Sequence, residues 1–371
     1  MSKKYAVFIT ALFCIFIGGF LAAGAISPDR AQSGREVLQQ LPKPTVESVF
    51  NGEFMTAFED YCSDQFFGRD AWVGMKAAAE QAAGKRENNN IYFCKQDTLI
   101  TRFDAPDQSR VDGNTGYVNQ FVANAGVPVY FSLVPGQAAI WADRLPAGAP
   151  NADQKAIIDA VYGASDALCY DSYQALWDHR DEYLYYRTDH HWTSLGAYYG
   201  YVSLMEALDM EPVPLERYEK TVVSEDFYGT TFSTSGLGSI QPDSIWTYVP
   251  DDGLQVTSHF STEAQEGSLY NPSALEGIDQ YTYFMGGNQV LSVIKNPNVD
   301  GPKLLILRDS YADSMVPFLT QHFSEIHMVD LRYNRGSVPA YIKEAGIDMA
   351  LVLYSVPNYV TDTNFFTLRQ K

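Results

Sequence analysis

The stretch Lys303–Phe323, KLLILRDSYADSMVPFLTQHF, decides the fold. After Lys303 its opening residues are continuously apolar, without the alternation of a half-exposed strand, as expected where both faces of a strand are covered. The run leads straight into Asp309-Ser310-Tyr311, and a helix-compatible segment follows. Such a junction places Ser310 at the carboxyl edge of a sheet, where open α/β sheets keep their crevices. The first N–H groups of the helix have no intrahelical partner and face the same space, so they can hold an oxyanion. Asp309 or Ser310 as a plain helix cap is the simpler alternative.

Working outward, three more runs have the same character: VPVYFSLV (Val127–Val134), IHMVDL (Ile326–Leu331) and MALVLYSV (Met349–Val356). Pro135-Gly136 ends the first, and helical stretches follow near Ala138–Arg144 and Asp153–Ala164. Strands alternating with helices predict an α/β fold with a mostly parallel sheet and helices on both faces. Between Glu211 and Asn298 this rhythm breaks into short aromatic runs with Gly, Pro, Asn and Asp, which predicts an inserted β-hairpin and loop region at about 211–298. Upstream, a helix is expected from Asp70 to about Ala83, stopped by Gly84. IYFC and TLI, separated by Lys95-Gln96-Asp97, read as a hairpin.

The second chemical stretch is YYRTDHHWTSLGAYYGY, Tyr185–Tyr201. Asp189, His190 and His191 fall together in a loop that feeds a helix capped by Thr193. A histidine takes a proton from a nucleophile only in the right tautomer, and a carboxylate beside it holds that tautomer. With Ser310, this makes a Ser/His/Asp set the economical reading. Adjacent histidines on an extended chain point to opposite sides, so a shared metal ion is not expected. A buried histidine bonded to backbone is the bland alternative. Two weaker signals remain. Gly286-Gly287-Asn288 is either a turn or a place where backbone approaches a ligand and Asn288 donates to an oxyanion. Arg332 ends the strand after the serine strand, on the same edge, and can contact a carboxylate, sugar or oxyanion. A surface ion pair is the alternative there.

Composition narrows the partners. The 371 residues are 46% hydrophobic and 19% charged, enough for a sizeable core. With 45 acidic against 26 basic residues the net charge is -19, which repels phosphate backbones and excludes nucleic acid as the expected partner. The 14% aromatic share suits stacking on sugar rings. No cofactor signature is visible. Four cysteines contain no CxxC pair, and Cys62, Cys94 and Cys169 are expected to be small buried thiols. Lys3 and Lys4 precede Tyr5–Ala25, which carries no charge and as a helix would span about 32 Å, against a hydrocarbon core of roughly 30 Å. Residues 1–25 are therefore expected to anchor the chain in the cell membrane with the rest outside, on a stem of residues 26–50 and a domain over 51–371. Secretion after signal cleavage, at Ala23-Gly24-Ala25, is the alternative.

Taken together, SDQFFGRDAW, VPGQAAIWADRLP, YYRTDHHWTSLGAYYGY, DFYGTTFSTSG, LRDSYADSMVPFLTQHF and VDLRYN occur in an order that closely resembles the bacterial DHHW protein family. That family is similar to the alginate O-acetyltransferase domains of the AlgJ and AlgX type, which implies an SGNH-hydrolase-like, flavodoxin-like fold. The resemblance selects Asp189, His191 and Trp192 in one motif and Ser310 in the other, leaving His190 as the intervening residue. It places Arg332 on the substrate side; Asn288, Trp192 and Tyr311 are further expected substrate or oxyanion groups. Where SGNH enzymes usually carry Gly before the Asp-Ser pair, Arg308 stands here. The implied activity is transfer of an acetyl group through a Ser310 acyl-enzyme to hydroxyls of a cell-surface or exported polysaccharide. The implied partner is a polytopic membrane acyltransferase that supplies the acetyl group. An esterase using the same triad, and a non-catalytic glycan-binding or assembly protein, are the rival readings.

Overall fold

A computed structural model describes residues 3–33, 36–260 and 263–370. The chain divides into two compact units, Met1–Lys85 with Gly236–Ile240, and Arg86–Ser235 with Gln241–Lys371. The first unit is helical. Lys3–Ile26 forms a 24-residue helix with no buried residue, the one helix among those described that is long and apolar enough to cross a membrane. It fits a signal anchor or a signal peptide. Three shorter helices follow, Val46–Phe50, Glu53–Asp64 and Arg69–Ala82. The last closes at the expected place, with Gly84 in the left-handed region at φ 96°. The α/β unit thus begins at Arg86, whereas the sequence predicts a domain start at 51.

An eight-stranded sheet organises the second unit. Its order is Ala264–Gly267, Gln255–His259, Leu291–Lys295, Glu325–Val329, Lys303–Arg308, Met349–Ser355, Val129–Val134, Leu168–Cys169. The last five strands pair in parallel and the first three in antiparallel fashion. The four expected runs are the central parallel strands, and the Leu304–Leu307 and Ala350–Tyr354 segments are buried throughout, as their unbroken apolar character requires. Part of the 211–298 stretch does more than decorate the frame. Its strands Gln255–His259, Ala264–Gly267 and Leu291–Lys295 extend the sheet and cover the edge that Glu325–Val329 would otherwise leave unpaired. Thr221–Phe227 and Asp243–Thr247 form a separate two-stranded ribbon. The expected hairpin is present as Ile91–Phe93 with Leu99–Thr101, turning through Gln96 and Asp97 at positive φ.

All four cysteines are free thiols. Cys62 is exposed rather than buried, because its helix belongs to the first unit and not to the α/β core. Burial pushes the half-buried Cys94 thiol up to about 12, so it stays protonated and inert.

Candidate active site

Ser310 sits where the buried strand Lys303–Arg308 meets the helix Tyr311–Leu319, at the carboxyl edge of the sheet. The capping work falls to its neighbour. Asp309 Oδ1 accepts from the Tyr311 N–H at 3.0 Å, while Oδ2 accepts from the Ser355 N–H, the Ser355 hydroxyl and the Asn358 amide, each at 2.8 Å. Asp309 therefore ties two adjacent strand ends together and leaves the Ser310 hydroxyl free of any cap bond. That hydroxyl, half-buried, lies 2.6 Å from His191 Nε2. His191 Nδ1 lies 2.6 Å from Asp189 Oδ1. The structure thus joins three residues from two distant segments in one hydrogen-bonded line, with the carboxylate on one imidazole nitrogen and the serine on the other.

Asp189 is held from every side. Its Oδ1 also accepts from the His191 N–H at 3.0 Å, and Oδ2 accepts from the Thr230 N–H at 2.8 Å and the Thr230 hydroxyl at 2.9 Å. Burial opposes its charge, but the neighbouring His190 and His191 and these hydrogen bonds prevail, holding the carboxyl well below its ordinary range. One residue back, the Thr188 N–H and hydroxyl bond Asp243 Oδ2 at 2.7 and 2.6 Å. Gln137 Nε2 donates to the Asp189 carbonyl at 2.9 Å.

The two histidines do not point to opposite sides as an extended chain would require. Residues 187–191 form a bend, and the rings lie 3.9 Å apart at 37°. Asp189, His190 and His191 consequently gather their ligand-type atoms within 4.8 Å of one another. Each Asp189 oxygen nevertheless already accepts two hydrogen bonds, both His191 nitrogens are engaged, and His190 Nδ1 bonds the Thr230 hydroxyl at 2.7 Å. The donor set is spent on protein partners rather than directed at an ion.

The helix amides contribute less than expected. The Tyr311 and Ala312 N–H groups go to Asp309, and the Asp313 N–H to the Ser310 carbonyl. Among the described residues the Ser310 N–H has no partner, so it is the backbone donor available to an oxyanion. Asn288 is exposed, and its Oδ1 accepts from Arg332 Nη2 at 2.9 Å. An amide whose oxygen faces a guanidinium presents its NH2 outward as a donor. Arg332 itself is committed to the buried Asp330 through Nε at 3.0 Å and Nη2 at 2.6 Å, so its charge is compensated and not free for a substrate carboxylate.

Trp192 and Tyr311 are supports, not substrate contacts. They are 0% and 2% exposed. The indole N–H donates to the Tyr311 carbonyl at 2.9 Å, and the Tyr311 hydroxyl donates to the His190 carbonyl. Trp192 fills a slot that exists because residues 196 and 200 are glycines: a Cβ on Gly200 would fall 2.7 Å from its ring. Arg308, in the place of the usual glycine, is 1% exposed. Its Nη1 pairs with the buried Asp313 carboxylate at 2.9 Å, and Nη2 donates to Gln289 Oε1 at 3.1 Å and to the Gly287 carbonyl at 3.4 Å. It thereby hangs the Gly286–Gln289 turn, which carries Asn288, from the serine strand. Gly286 and Gly287 adopt φ 75° and 101°, as that turn requires.

Sequence reasoning missed Thr230, Gly229, Asp243, Gln137 and Tyr281. The first two lie in DFYGTTFSTSG and Gln137 in VPGQAAIWADRLP, so the motifs marked them without revealing what they touch. Asp243 and Tyr281 carry no local signal.

Comparison with known proteins places this arrangement. No curated protein matches the chain. A crystal structure of a DHHW family protein from Eubacterium siraeum is 27% identical, with a TM-score of 0.67 over 76% of this chain and 96% of that one. Bacillus cereus PatB1, solved with a sulfonyl adduct, is 20% identical with a TM-score of 0.63, covering 76% and 98%. The O-acetyltransferase domain of Pseudomonas putida AlgJ is a looser likeness, 13% identical with a TM-score of 0.47 over 76% and 98%. The first two share the SGNH-hydrolase-like α/β fold described above. The DHHW protein model matches residues 129–329, more than half of the sequence, from the first central strand through the serine helix to the strand beyond it. This chain belongs to the DHHW family.

Proposed function

We propose that this protein is an extracytoplasmic O-acetyltransferase that moves an acetyl group through Ser310 to hydroxyls of a cell-surface or exported polysaccharide. The observation that carries the reading is the line Asp189–His191–Ser310, with 2.6 Å at each step. His191 takes the Ser310 proton as Oγ attacks the acetyl carbonyl, and Asp189 holds the tautomer and the imidazolium that forms. The Ser310 N–H and the Asn288 amide receive the oxyanion. The carbonyl collapses, the bond to the donor's leaving group breaks, and that group departs with the proton from His191. A sugar hydroxyl then gives its proton to His191, attacks the acyl-enzyme and leaves acetylated, and the proton returns to Ser310. The sequence resemblance to alginate O-acetyltransferase domains supports transfer to a polysaccharide, and a polytopic membrane acyltransferase supplies the acetyl group. The apolar N-terminal helix supports work outside the membrane, with the chain anchored there or released by signal cleavage.

Intact mass spectrometry with an activated acetyl ester tests this directly. The full chain should gain one acetyl group and Ser310→Ala none. Adding oligosaccharides should move the acetyl onto sugar; acetate released at the same rate without sugar would make the protein an esterase instead. Acyl adduct formation in Ser310→Ala would remove Ser310 as the nucleophile.

A further inference from the structure

Tyr281 lies in the short helical turn Gln280–Tyr283, far in sequence from both the histidine and the serine. Its ring stacks flat on the His191 imidazole, with centroids 3.7 Å apart and planes inclined by only 6°. Its hydroxyl donates to the Ser310 carbonyl at 3.1 Å and meets the Ser314 hydroxyl at 3.1 Å. A single side chain therefore touches the face of the imidazole and the backbone of the serine together. The ring is 4% exposed and is itself held edge-on by Tyr186 at 6.3 Å, with Phe284 tilted against it at 5.5 Å. Burial keeps its phenol protonated, so the hydroxyl remains a donor.

We propose that Tyr281 is a positioning residue for the His191–Ser310 pair. This rests on the reading of Ser310 as nucleophile and His191 as its base. Hydrogen bonds at both imidazole nitrogens fix the ring's axis but let it rock about that axis, and a flat neighbour on one face removes this freedom. Small misplacements of reacting groups are expensive in rate. When His191 accepts the serine proton it becomes a cation lying against an electron-rich ring, a contact that strengthens as charge develops and is strongest away from water. The other groups facing His191 are Asp189 at Nδ1, Ser310 at Nε2, His190 at 3.9 Å and Tyr311 at 5.2 Å between rings, with the buried Asp313 carboxyl beyond the serine. Tyr281 is the one stacked parallel to the imidazole.

Sulfonylation by phenylmethanesulfonyl fluoride isolates this step from any glycan. The Ser310 Oγ–S bond forms, the S–F bond breaks, His191 takes the proton and fluoride leaves. The rate is followed by intact mass across pH for the full chain in detergent, as wild type, Tyr281→Phe, Tyr281→Leu and Tyr281→pentafluorophenylalanine. The Phe variant keeps the stacked ring and should label within about 3-fold of wild type, because it loses only the neutral hydrogen bond. Tyr281→Leu should label about 30-fold more slowly, with its pH midpoint moved about one unit lower, because the imidazolium has lost its aromatic face. The pentafluoro ring matches the Phe variant in outline but inverts the ring's charge distribution, so it reports even if the Leu variant does not fold. It should label about 5- to 30-fold more slowly than Phe, with its midpoint moved the same way. Equal rates and equal midpoints for the Phe and pentafluoro variants would overturn the proposal while wild type still labels at Ser310. Absence of Ser310 labelling in wild type would instead remove the nucleophile reading beneath it.

Discussion

A methyl group on Gly229 would stand 2.1 Å from Asp189 Cβ and 2.4 Å from its Oδ2. The Gly229–Thr230 turn can close over that carboxylate, and deliver two hydrogen bonds to it, only because residue 229 has no side chain. The glycine is a space requirement and not a conformational one. Gly229→Ala should therefore push the turn off Asp189 and weaken both Thr230 bonds. Destabilisation by about 1–3 kcal/mol is expected in a urea titration, as for other overpacked sites. Acyl labelling of Ser310 should slow by about 10- to 100-fold as the histidine loses its fixed partner. A variant that folds and labels like wild type would show that the turn has room to spare.

Asp189 also links stability to pH. Its folded carboxyl lies well below the ordinary value, so it contributes stability above the unfolded value of about 3.9, and this is lost as pH falls through the folded value. The stability gap between wild type and Asp189→Asn should be flat from about pH 5 upward and shrink steadily in more acid solution. Urea midpoints measured from neutral pH down to strong acid check this. A gap that stays constant into strong acid would mean that the carboxylate is not held in its charged form.

Arg308 and Asp313 form a buried pair in which each needs the other. Arg308→Met leaves a carboxyl without its partner and should destabilise the protein by about 3–5 kcal/mol, whereas Arg308→Met combined with Asp313→Leu should recover most of that. Burial pushes Asp313 up to about 7, even with Arg308 beside it. A raised acid costs more stability as pH climbs towards its folded value, and without Arg308 that value rises further. The single variant should accordingly be more impaired at pH 8 than at pH 5. A pH-independent penalty in chemical denaturation would contradict the pairing.

Asn288 offers a check on the oxyanion assignment. Its amide is turned by Arg332, so Asn288→Ala should remove a donor without disturbing the fold. The expected result is an ester turnover lowered about 100-fold in kcat with KM little changed. An effect confined to KM would make Asn288 a ground-state contact.

Much of this was legible in the chain. Continuous apolar runs such as Val129–Val134 and Lys303–Arg308 announce buried strands because the signal is local and unbroken, and Thr193 marks its helix start by chemistry alone, capping Leu195 and Gly196. Strand order was not legible in the 255–295 region. Short strands of mixed polarity there take their place from the open edge of Glu325–Val329 rather than from their own pattern. The site was half visible. Asp189, His191 and Ser310 are chemically conspicuous, whereas Trp192 and Tyr311 look like substrate contacts until burial shows them packed beneath the site.

By itself the sequence determined the α/β class, the apolar N-terminal helix, the acidic character and the residue types available for chemistry. All of these follow from composition, periodicity and spacing along the chain. Only the tertiary structure decided that Ser310 meets His191 across 119 residues of sequence, that Asp309 relieves the serine of capping, and that Tyr281 lies on the imidazole. Those relationships depend on which buried strand lies beside which and how side chains from separate segments fill the space between them. Packing of that kind is a property of the whole core, and no local pattern encodes it.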